Sequence, residues 1–337
     1  MKVLSTLIFC ALLPGIMFLC GCGGSKEVQH ETKFVWPAPP DEARIQYVKS
    51  LTGEKDYPGA LNTILKTIAG EQQHFQLNRP IDVCIEGSKI YVTDATMGVI
   101  VFDTANQKVY PLAEKSTINL GKARGIGSGH GKIFIGLANL GQIAVFNTND
   151  SLLALIGTEQ AFPNPIDVVC DTPRNRIIIV DNTWHKLFIY SETGDSLMTI
   201  GKRGEGKGEF NYPQSAAVDS AGNIYIADGF NYRVEIFDVN GTYQRSFGKQ
   251  GNVWGMFERM KGIALDSYNN IYVLDGGHQN YQIFNNEGKL LMAVGTLSED
   301  NNGFQNPVSL YIDRTNTIYV TDQLNSRVQV FHLIKGN

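Results

Sequence analysis

The residues best able to do chemistry here are a few histidines, a pair of aspartates and one glycine-rich run. His30, His74, His130, His185, His278 and His332 do not recur at a single place in the sequence pattern described below, and only His185 and His278 share a turn in it. Two imidazoles with no clear third ligand make a poor catalytic metal site. Asp82 and Asp167 occupy matching positions and could share a hard cation such as calcium with nearby Asn side chains. The glycines at Gly201, Gly204, Gly206 and Gly208 follow a β-like run, as a phosphate-binding loop would, but they lead into another β-like run. No helix N-terminus therefore waits there for a phosphate. The sequence contains no Cys-x-x-Cys-His and so carries no covalent haem of its own.

A second chemistry is written at the N-terminus. Lys2 precedes an apolar stretch from Val3 to Leu19 that Pro14 and Gly15 interrupt, which reads as an export signal and is too short and broken to span a bilayer. Its end, Leu19-Cys20-Gly21-Cys22-Gly23, resembles the lipobox of bacterial lipoproteins, in which a small residue before the cysteine admits the peptidase and the thiol takes a diacylglyceryl group. Cys22 fits that role; Cys20 does not, because Leu19 is too large. Residues 1–21 are thus expected to be a lipoprotein signal peptide, with palmitate-type acylation at Cys22 and the membrane as one partner. Gly23, by analogy with enterobacterial sorting, favours the outer membrane. Cys84 and Cys170 lie in apolar β-like runs and read as small buried hydrophobes that need not pair.

Behind the cysteine, residues 22–43 read as a tether. The stretch from Gly23 to about Val35 is polar and without period. It ends in Trp36-Pro37-Ala38-Pro39-Pro40, a stiff segment that serves either as a spacer or to lay Trp36 on the domain surface. A short helical insertion is expected over about 57–70, where Leu61, Ile64, Leu65 and Ile68 fall on one face and Gly70 stops the run.

What positions everything else is a repeat. An Asp ends the second β-like run of successive units at Asp94, Asp181, Asp228, Asp275 and Asp322, with Leu137 in the equivalent place of a degenerate unit. An aromatic follows eight residues later at Phe102 and nine later at Phe146, Tyr190, Phe237, Phe284 and Phe331. The marker spacings are 43, 44, 47, 47 and 47 residues, so the chain holds six units of four short strands. A four-stranded blade exposes both faces, and six of them must stack around an axis to bury them. The expected fold is all-β, a six-bladed β-propeller over residues 44–334. The last unit stops after its third strand, and Arg44 to Gly53 resembles the fourth strands of other units. The N-terminal strand is expected to complete the last blade and close the ring.

The runs Gly201 to Pro213, Gly248 to Phe257, Asp228 to Phe237 and Asp322 to Phe331 resemble the NHL repeat, most closely in the last three units. Together with the lipobox and the tether, the chain is similar to six-bladed NHL lipoproteins of Gram-negative bacteria rich in multihaem cytochromes. That resemblance implies an envelope protein that binds other proteins, in an electron-transfer or secretion assembly. It also implies the rival reading, because amidating lyases with metal-bound His and lactonases with channel calcium share this architecture: a metal-dependent lyase or lactonase-like hydrolase with its site in the central channel.

Antiparallel blades put the second-to-third strand turns and the blade-to-blade linkers on one rim. The turns contribute Met97, Trp184, His185, Phe230, Tyr232, His278 and Leu324, which suit recognition of an envelope protein or peptide but could equally pack the loops together. The starts of the innermost strands place Asp82, Arg124, Asp167, Gln214 and Lys261 at the channel mouth. Catalytic residues are not expected, and no cofactor beyond a structural calcium. The repeated Asp, with Arg233 and Arg327, is expected to be structural, accepting turn amides and pairing within the blade. The net charge of −4 and the export signal argue against nucleic acid as a partner.

Overall fold

In the computed structural model the described residues are 34–57, 75–112 and 118–334. They form six antiparallel sheets arranged as a six-bladed β-propeller. Counting blades along the chain, the innermost strands are Pro80–Glu86, Ala123–Gly129, Pro165–Asp171, Pro213–Val218, Met260–Leu265 and Pro307–Ile312. Among the described residues the only helical turns are the short 3-10 segments Glu54–Asp56, Thr172–Arg174 and Gly229–Asn231. Cys22 and the helix expected over about 57–70, beyond Tyr57, lie outside the described residues.

The strands are apolar at both parities because each blade is buried on both faces. In blade 2, Ile133 and Ile135 point into the seam with blade 1, whereas Phe134 points into the seam with blade 3. Blade 3 repeats the pattern, with Ile177 and Ile179 facing blade 2 and Ile178 and Val180 facing blade 4. The core is therefore a set of six seams, one per pair of neighbours. The seam between blades 6 and 1 packs Val328, Val330 and Tyr319 against Val83, Val92 and Ile100 and shuts the ring.

The ring closes where the sequence predicts. Ile45–Leu51 pairs antiparallel with Arg327–Leu333, the fourth strand of blade 6 being supplied by the N-terminal end of the domain. One element was not expected. Val35–Trp36 adds a fifth strand outside Ile45–Leu51, and the Trp36 ring sits 5.7 Å from Phe331. The Trp-Pro segment is thus an anchor on blade 6.

The glycine-rich run has a packing role. Gly201, Gly248 and Gly295 end the outer strands of blades 3, 4 and 5 with φ of 94°, 104° and 98°. A Cβ at each would come within 2.3, 2.5 and 2.4 Å of the rings of Phe210, Phe257 and Phe304, all fully buried. The glycine both takes the positive φ and makes room for the phenylalanine that pins the linker.

Candidate functional site

The marker aspartates hold the rim turns in shape. Asp94 accepts backbone N–H groups from Asn78 and Arg79 in the incoming linker and from Thr96 and Met97 in the turn. Asp228 and Asp322 accept in the same way from Asn211 and Gln305 and also pair with Arg233 and Arg327 at 3.1 and 2.8 Å. These groups are consumed structurally, as the repetition implies.

On this scaffold the seven rim residues divide. Met97, Trp184, Phe230 and Leu324 are exposed, the last three by more than half. His185 is buried and Tyr232 and His278 are half-buried, the arrangement of side chains that pack the loops together. His185 and Tyr232 occupy the left-handed position that ends the turn, with φ of 54° at each. His185 is buried, its Nδ1 accepts the Tyr212 N–H at 3.0 Å, and burial and then the Arg203 charge hold its pKa below the usual value. Tyr232 packs into the seam between blades 4 and 5. His278 stands one place earlier in its turn than His185, so the two are not equivalent. Its Nδ1 lies 3.1 Å from Asp275, in the role that Asn231 and Asn325 play toward Asp228 and Asp322. Among the described residues no three His, Cys, Asp or Glu side chains stand together as a ligand set. Cys84 and Cys170 are both free.

The linkers add what the turns alone do not reveal. Tyr212, Val253, Trp254 and Leu297 are exposed on the same rim, and Trp254, at 69% exposure, is the most exposed large hydrophobic residue described. The topology that puts turns on this rim also puts linkers there, so the signal was present in the sequence.

All five channel-mouth residues do converge. Asp82, Arg124, Asp167, Gln214 and Lys261 line a cavity of about 570 Å³ on the axis, together with Arg79, Lys122, Arg259, Gln323 and others. A second cavity of about 680 Å³ opens toward the opposite rim, and the two share Asp82, Asp167, Ser215 and Ser309 as a waist. The waist is one register of the innermost strands. Its remaining positions are Gly125 and Gly262, and a Cβ on Gly125 would lie 2.4 Å from the Asp167 backbone. The two carboxyls lace neighbouring strands together. Asp82 accepts the Ile126 N–H at 2.8 Å and the Ser309 hydroxyl, and Asp167 accepts the Ala216 N–H at 2.8 Å. Burial pushes both carboxyls above the usual carboxylate range, and Asp167 pushes Asp82 further. Lys261 is held below the usual lysine value by burial and by the neighbouring Arg259 charge.

The fold is a six-bladed β-propeller, and part of the chain carries an NHL repeat. The profile of a family described as a 6-bladed beta-propeller matches residues 151–234, and that of the NHL repeat matches residues 304–331. No curated protein matches the chain in sequence. Among solved structures, a protein of unknown function from Bacteroides thetaiotaomicron is similar at 13% identity and a TM-score of 0.60, covering 77% of this chain and 70% of that one. Virginiamycin B lyase from Staphylococcus aureus is similar at 13% identity and a TM-score of 0.55, covering 78% of this chain and 99% of that one. Kuenenia stuttgartiensis hydrazine synthase is similar at 11% identity and a TM-score of 0.55, covering 77% of this chain and 78% of that one. At such identities the likeness is one of fold.

Proposed function

We propose that this chain is a lipid-anchored protein of the bacterial cell envelope that acts as a protein-binding scaffold through one rim of its propeller. The observation that carries the reading is the distribution of exposed apolar groups. Of fifteen exposed large hydrophobic residues described, eight lie on this rim: Met97, Trp184, Tyr212, Phe230, Val253, Trp254, Leu297 and Leu324. Rigid aromatic groups presented on a closed ring are what a protein or peptide interface needs, because they bring contact area at little entropic cost. The acyl group proposed at Cys22 would join the ring through the strands that complete blade 6, keeping the scaffold at the membrane, the outer membrane by the sorting analogy. The partner class is an envelope protein or peptide of an electron-transfer or secretion assembly, and any redox centre would be the partner's. Replacing Trp184, Phe230 and Trp254 together with Ala is expected to abolish co-purification of a partner from membranes while leaving thermal stability unchanged. Undiminished co-purification would overturn the reading.

A further inference from the structure

The channel mouth is charged in a way the chain as a whole is not. The protein carries a net charge of −4, yet Arg79, Lys122, Arg124, Arg259 and Lys261 all line one cavity. None of the five forms an ion pair with any described residue; Arg259 is instead held by neutral acceptors, the Gly276 carbonyl at 2.9 Å and Asn306 Oδ1 at 2.7 Å. The opposing charge within the cavity is two carboxyls at the waist, so the cations remain in excess even when both are ionised. Those carboxyls are already occupied by N–H and hydroxyl donors of neighbouring strands. Five cations with no counter-ion among the described residues, gathered around a concave, partly desolvated mouth, repel one another and favour an anion.

Their placement is also directional. Lys122 and Arg124 flank Ala123, where the innermost strand of blade 2 begins, and Arg259 and Lys261 flank Met260, where that of blade 5 begins. Blades 2 and 5 are three steps apart in a ring of six and therefore face each other across the axis. We infer that the channel mouth is a binding site for a small organic polyanion with carboxylate or phosphate groups at two ends, spanning blades 2 and 5. A mouth of about 570 Å³ with a narrow waist beneath it has the size of a small-molecule pocket and not of a groove for a folded segment. The site is distinct from the aromatic groups of the rim and stands or falls separately from the scaffold reading.

The test is titration calorimetry on the full mature protein with four probes: citrate, glutarate, pyrophosphate and the neutral diamide of glutarate. At least one polyanion is expected to bind in the micromolar to millimolar range, more weakly as salt is raised, with the diamide silent. The carboxylate and phosphate probes distinguish the two chemistries. Lys122→Gln with Arg124→Gln, and separately Arg259→Gln with Lys261→Gln, are each expected to lower the affinity about tenfold or more, the first pair without shifting the melting temperature of the free protein. The Trp184, Phe230 and Trp254 triple variant is expected to bind the anion as the unaltered chain does. Failure of every probe at millimolar concentration, equal binding of the diamide, or sensitivity to only one of the two cation pairs would overturn the inference.

Discussion

Tyr47 and Phe331 face each other across the strands that close the ring, register partners whose rings lie 5.8 Å apart at 77°. Trp36 packs on Phe331 from one side, and Tyr281 and Phe304 pack on it at 5.9 Å each. One side chain thus binds both ends of the domain and the seam between blades 5 and 6. Holding the chain's ends together is an entropic cost that this aromatic cluster offsets.

Phe331→Ala is accordingly expected to cost about 3–5 kcal/mol, the usual loss for a large buried ring. Limited proteolysis of the variant is expected to release the segment around Ile45–Leu51 early. A melting temperature and digestion pattern identical to those of the unaltered protein would contradict the role given to this contact.

Gly248→Ala forces a Cβ into the Phe257 ring at a φ of 104°. Strain at such a position is on the order of 1–3 kcal/mol, and the displaced phenylalanine adds to it. Chemical denaturation is expected to show a lower midpoint, whereas Gly87→Ala, whose added Cβ meets nothing within 4 Å, is expected to show only the smaller cost of its φ of 61°.

Glu235 is buried at the position where blades 5 and 6 carry Gln282 and Gln329. Burial pushes its pKa up to about 7, against the lowering pull of Arg233, whose Nη2 lies 3.2 Å away. The fold therefore holds this proton more tightly than the unfolded chain does. The contribution of Glu235 to stability is greatest below its ordinary value of 4.5, falls as pH rises from there to about 7, and is level above. Glu235→Gln is expected to stabilise the protein by about 1–3 kcal/mol at pH 8 and to change little at pH 4.5. Equal effects at both values would refute the assignment.

Cys22→Ala is expected to give an exported protein that fractionates as soluble, since the remaining tether has no acyl chain to hold it at a bilayer. Continued membrane association would show that another segment anchors the chain.

Much of this was legible in the sequence because the repeat encodes it. A marker Asp every 43 to 47 residues fixes the blade count, and the missing fourth strand of the last unit points to Arg44 to Gly53. The channel-mouth residues were legible for the same reason, being the second or third residue of their innermost strands. The rim was read less well. Whether a turn residue faces water depends on what the neighbouring linker and blade pack against it: His185 is buried against Tyr212 and Tyr232 packs into the seam between blades 4 and 5, although their residue types suggest a surface. Trp254 and Leu297 sit in linkers whose exposure is set by how Phe257 and Phe304 pin the loop. The Val35–Trp36 strand is too short to show a period.

The central claim, that a protein docks on the aromatic rim, is tested most directly by placing a photoreactive phenylalanine analogue at Trp184, at Trp254 or at Leu153 and cross-linking in the native envelope. Leu153 is a fair control, since it is exposed by 52% on the outer strand of blade 2, away from the rim. The account predicts a discrete adduct from positions 184 and 254 and none from 153. Adducts from 153 alone, or none from either rim position, would contradict it.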